Sequence, residues 1–218
     1  QSDDMMNDLV ENFKIKKEKI IKINNPVDFS FIEEKLENSV KPESYKSDSK
    51  NVVAIGNLSE RKGFDNLLKV FVKLKQHKVL LHILGDGRDR EMLNQMKLNL
   101  GLENVIFHGV QKNPYPFLKF ADLFVLSSRY EGFPNVLLEA GACGTYALAN
   151  NCKGGINEII QPKINGEISD IENHEAFAAK IVEILEQSHD SEAIKNSIQS
   201  RFSKEMILEK YFEVLEKI

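Results

Sequence analysis

Short apolar runs alternate with amphipathic segments between residues 51 and 160. The runs are apolar at consecutive positions, which predicts strands buried on both faces of a parallel sheet. A helical pattern after each run predicts right-handed crossovers, and hence a Rossmann-like, doubly wound α/β fold. The predicted strands are Val52–Ile55, Val79–Leu84, Asn104–His108, Leu123–Leu126 and Thr145–Ala149. The predicted helices between and after them include residues 64–76, 89–100, 115–120 and 156–160.

The two ends of the chain have a different pattern. Residues 1–18 carry apolar positions at helical spacing, and Lys19–Ile23 is a short strand candidate. Residues 29–50 are polar, with a short helix predicted at Ser30–Leu36, so we expect a connector that ends near Ser49. Three further helices are predicted to cover the sheet: His174–Gln187, Ser191–Ser200 and Lys204–Lys217.

The composition indicates a folded domain and narrows its partners. Of the 218 residues, 42% are hydrophobic and 28% are charged, which suits one large or two small soluble domains. The net charge of -4 argues against a dedicated nucleic-acid-binding protein. Cys143 and Cys152 form no metal-ligand pattern and no disulfide framework, so we expect packing residues in a reducing compartment.

Neither a spanning helix nor a signal peptide is predicted. No apolar run reaches the roughly 18 residues that a membrane-spanning helix needs, and no targeting pattern opens the chain. The first residue is Gln1 rather than methionine, so we expect a fragment of a longer protein.

The stretch with the most chemical information follows the fourth predicted strand. A Gly-Phe-Pro turn, residues 132–134, leads into a helical pattern that Gly144 closes, and we expect Pro134 in the first turn of that helix. Glu131 lies in the turn and Glu139 inside the helix. The two acids could act in glycoside hydrolysis, or they could bind the vicinal hydroxyls of a sugar. The mid-helix position of Glu139 favours binding, and we rank ordinary surface acids well below binding.

A second loop with candidate chemistry, residues 56–63, follows the first predicted strand. It places Arg61 and Lys62 immediately before a predicted helix, so side-chain charge and free helix amides meet in one place. This arrangement suits a pyrophosphate, with Lys62 as the first candidate, although the loop alone is equally consistent with a solvated basic turn. Carboxyl ends of parallel strands form one rim, so we expect this loop near the Glu131 turn.

The remaining motifs carry less information. Residues 85–87 begin like a dinucleotide fingerprint, but Arg90 stands where the third glycine is required, so we expect only a tight turn that lets backbone approach a ligand. His77, His82 and His108 have no metal-ligand spacing, and we expect each to be satisfied or exposed.

Taken together, these motifs resemble the donor-binding half of the retaining glycosyltransferases of family 4, which have the GT-B architecture. The resemblance runs in order over residues 51–170, and Glu131 to Glu139 matches the family's E-x7-E motif. It implies that residues 1–49 are an interdomain connector with a remnant of a missing N-terminal domain, and that residues 50–200 bind the nucleotide sugar. Residues 201–218 would form a closing helix that packs on the missing domain.

The resemblance also implies a role for each matching position. Glu139 would bind the ribose hydroxyls of a nucleotide sugar, and Lys62 would neutralise its diphosphate. Backbone near Val110 would meet the base, and Gly56 is a further nucleotide-binding candidate. The donor hexose and the nearest phosphate would be contacted by Glu131 and by the backbone of Gly132, Phe133 and Pro134.

One position departs from the family pattern. Directly after the first glycine the family commonly has Arg, and here that position is Asn57. Arg61, from the same loop, is the candidate substitute for the missing charge.

The activity implied is transfer of a hexose or N-acetylhexosamine from a nucleoside-diphosphate sugar, UDP type favoured, to a saccharide or lipid-linked acceptor. No cofactor or metal ion is expected, because cations and helix ends can stabilise the departing diphosphate. With the acceptor half missing, this chain is expected to bind donor but turn over poorly. The family suggests cell-envelope polysaccharide assembly in the cytoplasm, including the inner membrane face, with peripheral membrane association of the full-length enzyme.

Three rival functions stay open on the sequence. A nucleotide-sugar 2-epimerase shares the two-domain architecture, although the E-x7-E spacing favours transfer. An NAD-dependent oxidoreductase fits the alternating strands, but Arg90 at the third glycine position argues against it. A non-catalytic module that binds sugar nucleotides fits the same residues.

Overall fold

The structure is a computed structural model that describes residues 1–216. Its centre is a parallel six-stranded sheet in the order β3-β2-β1-β4-β5-β6. The strands are β1 Lys50–Ile55, β2 Val79–Leu84, β3 Val105–Gly109, β4 Leu123–Leu126, β5 Ala147–Asn150 and β6 Gly166–Ser169. The helices are α1 Asp3–Glu11, α2 Phe29–Leu36, α3 Phe64–Lys73, α4 Arg90–Asn99, α5 Tyr115–Lys119, α6 Asn135–Ala142, α7 Ile156–Ile159, α8 His174–Leu185, α9 Ser191–Phe202 and α10 Lys204–Leu215.

Helices cover both faces of the sheet, which confirms the doubly wound α/β prediction. Within β1, Val52 belongs to an apolar cluster with α3, α4 and α8, while its neighbour Val53 belongs to a cluster with α2, α5 and α6. Successive side chains of a strand point to opposite faces, so burial on both faces requires apolar residues at consecutive positions. This is why the strands were readable as uninterrupted apolar runs.

The element boundaries agree with the sequence to within a few residues, except that β6 was not predicted and that the N-terminal segment differs. Strands β2 and β4 have the predicted bounds, but the strand expected at Lys19–Ile23 is wrong. One turn of 3-10 helix occupies Lys17–Lys19, and Ile21 is 63% exposed. Within residues 1–216 this segment has no ladder partner, and an isolated strand has nothing to satisfy its backbone groups. The predicted end of the last helix, Lys217, lies outside the described residues.

The connector is tied at Val27 and Tyr45 to α9 and α5, two of the helices that flank the sheet. The Val27 N–H donates to the Phe202 carbonyl at 2.8 Å, and the Tyr45 hydroxyl donates to the Phe117 carbonyl at 2.7 Å. Helix α10 leaves large apolar side chains uncovered, with Phe212 61% exposed. The division into connector, nucleotide-sugar domain and closing helix stays a prediction.

None of the helices within residues 1–216 combines the length and the apolar character that crossing a bilayer requires.

A buried histidine pair joins β2, β3 and the connector. The Asn51 amide nitrogen donates to the carbonyls of Lys46 and Ser49, so its oxygen is the acceptor facing His82 Nε2 at 3.2 Å. His82 Nε2 therefore carries the proton, and His82 Nδ1 accepts from His108 Nε2 at 3.0 Å. The expectation of satisfied histidines is confirmed for this pair, and burial lowers the pKa of His82 to about 4, with His108 adding to the shift.

This pair predicts a specific acid sensitivity. Between about pH 6.5 and pH 4, His82 is protonated in the unfolded chain but neutral in the folded chain. The free energy of unfolding therefore falls as pH falls through that window. The contribution is at most about 1.4 kcal/mol per pH unit. In urea titrations between pH 7 and 5, His82→Gln should lose less stability than the wild type. His77→Gln, at an exposed position, should keep the wild-type slope, and equal slopes for all three proteins would contradict the assignment.

Candidate functional site

The candidate site lies where the strand order reverses. Strands β1 and β4 pair side by side at the centre of the sheet, and the chain leaves them in different directions. The loops that follow them, residues 56–63 and 127–134, emerge at the same carboxyl edge. Crevices at such switch points are where open α/β sheets bind ligands.

The carboxylate of Glu131 is the centre of this site. One oxygen accepts from Lys62 Nζ at 2.5 Å and from Ser128 Oγ at 2.6 Å, and the other accepts from Arg61 Nη1 at 2.9 Å. The Glu131 side chain is only 6% exposed and that of Lys62 is 12% exposed. The structure thus pairs Glu131, the predicted sugar-binding acid, with Arg61 and Lys62, the two predicted phosphate-binding cations.

Gly56 lets Lys62 reach this position. A Cβ on Gly56 would stand 3.2 Å from Lys62 Cε, so the lysine stem runs across the bare face of the glycine. Gly85 in turn supports Gly56, because its φ of 131° and its contact with the Gly56 carbonyl oxygen exclude a side chain. The expectation that residues 85–87 make room for a ligand is therefore incomplete, since Gly85 makes room for Gly56.

Residues just before Glu131 also belong to the site, and sequence reasoning gave them no role. Ser127 Oγ donates to the Lys62 carbonyl at 2.7 Å. Arg129 forms a bidentate pair with Asp65, with both N–O distances 2.7 Å. A Ser-Ser-Arg run directly after a buried strand was the available signal, because such residues must lie on the rim.

Helix α6 presents its first amides next to this cluster. It begins at Asn135, with Pro134 as the residue before it at ψ 95°, so the expected first-turn position of Pro134 is wrong by one residue. No side chain caps this end, which leaves backbone N–H groups free for an anion. The Phe133 ring is buried against Phe202 and Gly155, so only the backbone of residues 132–134 can serve a ligand.

Glu139 lies apart from Glu131, in a cavity of about 190 Å³ between α6 and the connector. Burial raises the pKa of this carboxyl, and among residues 1–216 no neighbouring cation offsets the shift. A ligand hydroxyl that donated to the carboxylate would supply the missing stabilisation. The lining residues include Pro26, Asp28, Tyr115 and Asn135.

Val110 borders a third space, a cavity of about 300 Å³ at the ends of β1, β2 and β3. Gly56 lines the same cavity and also contacts the Lys62 stem, so it connects this cavity to the Lys62–Glu131 pair. Arg90 pairs with Asp86 at 2.7 Å, and Arg88 is exposed, as expected for solvated arginines.

The N-terminal segment lies along one side of the site. Asp4 Oδ2 accepts from the Gly154 N–H at 2.7 Å, and the Met5 sulfur would stand 3.2 Å from a Cβ on Gly132. Glu158 holds Lys22 at 2.7 Å. These contacts were not foreseen, because nothing in the local sequence of residues 1–24 indicates where that segment docks.

Among residues 1–216, no group of three or more His, Cys, Asp or Glu side chains is arranged to hold a metal ion.

Comparisons with known proteins give a consistent picture. The family model described as "Glycosyl transferases group 1" matches residues 36–201. The lipopolysaccharide core biosynthesis glycosyltransferase LpsE of Rhizobium meliloti is 33% identical over 174 residues, covering 78% of this chain and 50% of LpsE. A diphospho-undecaprenol 4-alpha-N-acetylgalactosaminyltransferase of Campylobacter jejuni is 28% identical over 197 residues, covering 90% and 52%.

Solved structures share the fold at lower identity. The crystal structure of Anabaena HepE in complex with UDP superposes with a TM-score of 0.84 at 22% identity, covering all of this chain and 62% of HepE. A glycosyltransferase from Rickettsia africae gives a TM-score of 0.86 at 22% identity, covering 99% and 62%. The chain thus spans about half the length of the curated relatives it matches.

The Glu131 cluster predicts a large stability effect. Glu131→Ala would leave the nearly buried Lys62 ammonium without its counter-charge, and we expect a loss of roughly 3 kcal/mol in the free energy of unfolding. Glu60→Ala removes an exposed acid from the same loop as Lys62 and should change stability by less than about 0.5 kcal/mol. Urea unfolding at neutral pH measures both, and a Glu131→Ala protein as stable as Glu60→Ala would show that the ion pairs contribute nothing.

Proposed function

The chain belongs to the glycosyl transferases group 1 family, and on that basis we propose that it is the donor-binding part of a retaining hexosyltransferase of family 4. The donor is a nucleoside-diphosphate hexose or N-acetylhexosamine, of the UDP type. The acceptor is a saccharide or a lipid-linked saccharide. The related enzymes named for lipopolysaccharide core and diphospho-undecaprenol substrates support this substrate class.

The observation that carries the proposal is the Glu131 cluster at the switch point. Lys62 and Arg61 converge there beside the free amides of α6, which gives one place with cationic side chains and helix N–H groups. A diphosphate needs such a place. The Arg61 side chain stays 38% exposed while it contacts Glu131, which supports its role as substitute for the charge absent at Asn57.

The neighbouring cavities suit the rest of a sugar nucleotide. The base lies near Val110, and Gly56 connects that cavity to the diphosphate. The ribose hydroxyls donate to the carboxylate of Glu139. Burial raises the pKa of this carboxyl, and among residues 1–216 no cation offsets the rise. The hexose lies at the Glu131 turn and the backbone of Gly132 to Pro134. The fold shared with HepE, which was solved with UDP, supports this donor class.

In the transfer step, negative charge accumulates on the departing diphosphate. Lys62 and Arg61 already converge on Glu131, and the uncapped start of α6 follows shortly after it in the chain, so little reorganisation is needed. Glu131 holds the two cations together and directed before the donor binds. We assign no catalytic base, and no metal ion or cofactor takes part in the proposed step.

Two of the three rivals are less well supported. The family match and the names of the relatives favour transfer over 2-epimerisation. Gly85 is used for packing on Gly56, which weakens the case for a dinucleotide-binding loop and an oxidoreductase. A non-catalytic module would bind the same donor through the same residues, so only turnover by the full-length protein separates it from an enzyme.

The remaining parts of the proposal concern the whole protein. The acceptor would be bound by an N-terminal domain that packs on α10, whose apolar face is exposed. The reaction would take place in the cytoplasm, with peripheral association at the inner membrane face as the place where lipid-linked acceptors are found. No nucleic-acid partner is proposed.

The donor site can be tested on this chain directly. UDP at 100 times its dissociation constant should stabilise the folded chain by about 2.7 kcal/mol, visible as a rise in melting temperature. Glu139→Ala should abolish the shift, because the ribose loses its acceptor, and Lys62→Ala should weaken it. Arg88→Ala, at an exposed position, should leave it unchanged.

The same assay separates the alternatives. A folded sample that responds to no nucleoside diphosphate would refute the proposed donor site. A larger shift with NAD than with UDP would favour the oxidoreductase.

A further inference from the structure

Arg129 contacts the loop of residues 56–63, which carries Arg61 and Lys62, through both its side chain and its backbone N–H. Its Nη1 donates to the Glu60 carbonyl as well as to Asp65, and its Nη2 donates to the second Asp65 oxygen at 2.7 Å. Asp65 lies in the first turn of α3, directly after the loop. Burial alone would raise the pKa of Asp65, but the hydrogen bonds and charge of Arg129, together with the Lys69 charge and the Asn66 N–H, outweigh it and hold that pKa below its usual range.

The loop backbone is held at consecutive residues. The Glu60 carbonyl accepts from the Arg129 guanidinium, the Arg61 carbonyl from the Arg129 N–H at 2.8 Å, and the Lys62 carbonyl from Ser127 Oγ. Gly63, at φ 63°, then packs against the Ser127 carbonyl so closely that a Cβ would clash. These three loop carbonyls are therefore fixed toward Ser127 and Arg129, which follow β4. The side chains of Arg61 and Lys62 point to Glu131 instead.

We propose that Arg129 is a positioning residue, which sets the place of Arg61 and Lys62 through their backbone and so determines how tightly the site holds a diphosphate. The inference rests on the proposed function of the site. The hydrogen bonds of Arg129 to Asp65 and to the Glu60 carbonyl, here called the brace, are a property of the chain without ligand. A guanidinium is needed because one planar group must serve both Asp65 oxygens and the Glu60 carbonyl. A lysine at this position keeps the charge and loses that geometry.

The brace is tested first without ligand. The Gly63 N–H donates to the Glu60 carbonyl at 3.1 Å and the Lys62 N–H to the Ser59 carbonyl at 2.9 Å, and both bonds belong to the turn that Arg129 holds. Amide hydrogen exchange at Lys62 and Gly63 should therefore be about tenfold faster in Arg129→Lys and in Asp65→Asn than in the wild type, because the Glu60 carbonyl loses the guanidinium as its second donor. Arg88→Lys is the matched control and should exchange at wild-type rates. Unchanged exchange in both brace variants would overturn the proposal, whatever the chain binds.

The effect on binding is tested by calorimetry with UDP and with uridine. Arg129→Lys should weaken UDP binding by about tenfold, as expected for displaced charged groups, and uridine binding by less than about twofold, because uridine brings no phosphate to the cations. In a Lys62→Ala, Arg61→Ala background, Arg129→Lys should cause no further loss. Equal losses for UDP and uridine would show a general structural role and overturn the assignment.

These outcomes separate the two proposals. A wild-type chain that binds no UDP refutes the donor site, while the exchange rates still decide whether Arg129 holds the loop. A wild-type chain that binds UDP, with Arg129→Lys binding equally well, refutes only the role of Arg129.

Discussion

One nearly buried carboxylate determines the geometry of the candidate site. Glu131 accepts from Lys62, Arg61 and Ser128, so two like charges are held on one loop without being driven apart by repulsion. Removing charges from water is costly, and the arrangement is tolerable because each oxygen of the carboxylate has a charged partner. The result is a pair of cations whose directions are fixed before any ligand arrives, which is the condition for strong electrostatic stabilisation of a leaving group.

Close backbone packing makes that arrangement possible. Gly85 packs on the Gly56 carbonyl, Gly56 supports the Lys62 stem, and Gly63 packs on the Ser127 carbonyl. At each of these contacts a side chain would force one loop away from the next. The glycines of the rim therefore set the distance between loops from different strands, and only some of their bare surface is left for a ligand.

The N-terminal segment of the chain also borders the candidate site. Asp4 accepts from Gly154 and Met5 lies against Gly132, so a segment far away in sequence borders the turn that carries Glu131. Helix α1 has no buried residue, and the contacts of its first turn with the rim include the polar bonds made by Asp3 and Asp4. The environment of the proposed hexose position therefore depends on residues that lie far from it in the sequence.

Local sequence determined the strands, most helices, and the rim on which the candidate residues lie, because burial on both faces and Gly/Pro turns leave a signal within a few residues. It also identified Glu131, Glu139 and Lys62 as candidates. Only the tertiary structure decided that Glu131 pairs with Lys62 and Arg61, which lie 69 and 70 residues away, while Glu139 faces a separate cavity. It likewise revealed the contacts of Arg129 with Asp65 and Glu60. It also showed that the strand expected at Lys19–Ile23 does not form. Such pairings depend on strand order and loop packing, and neither is encoded in any short stretch of the chain.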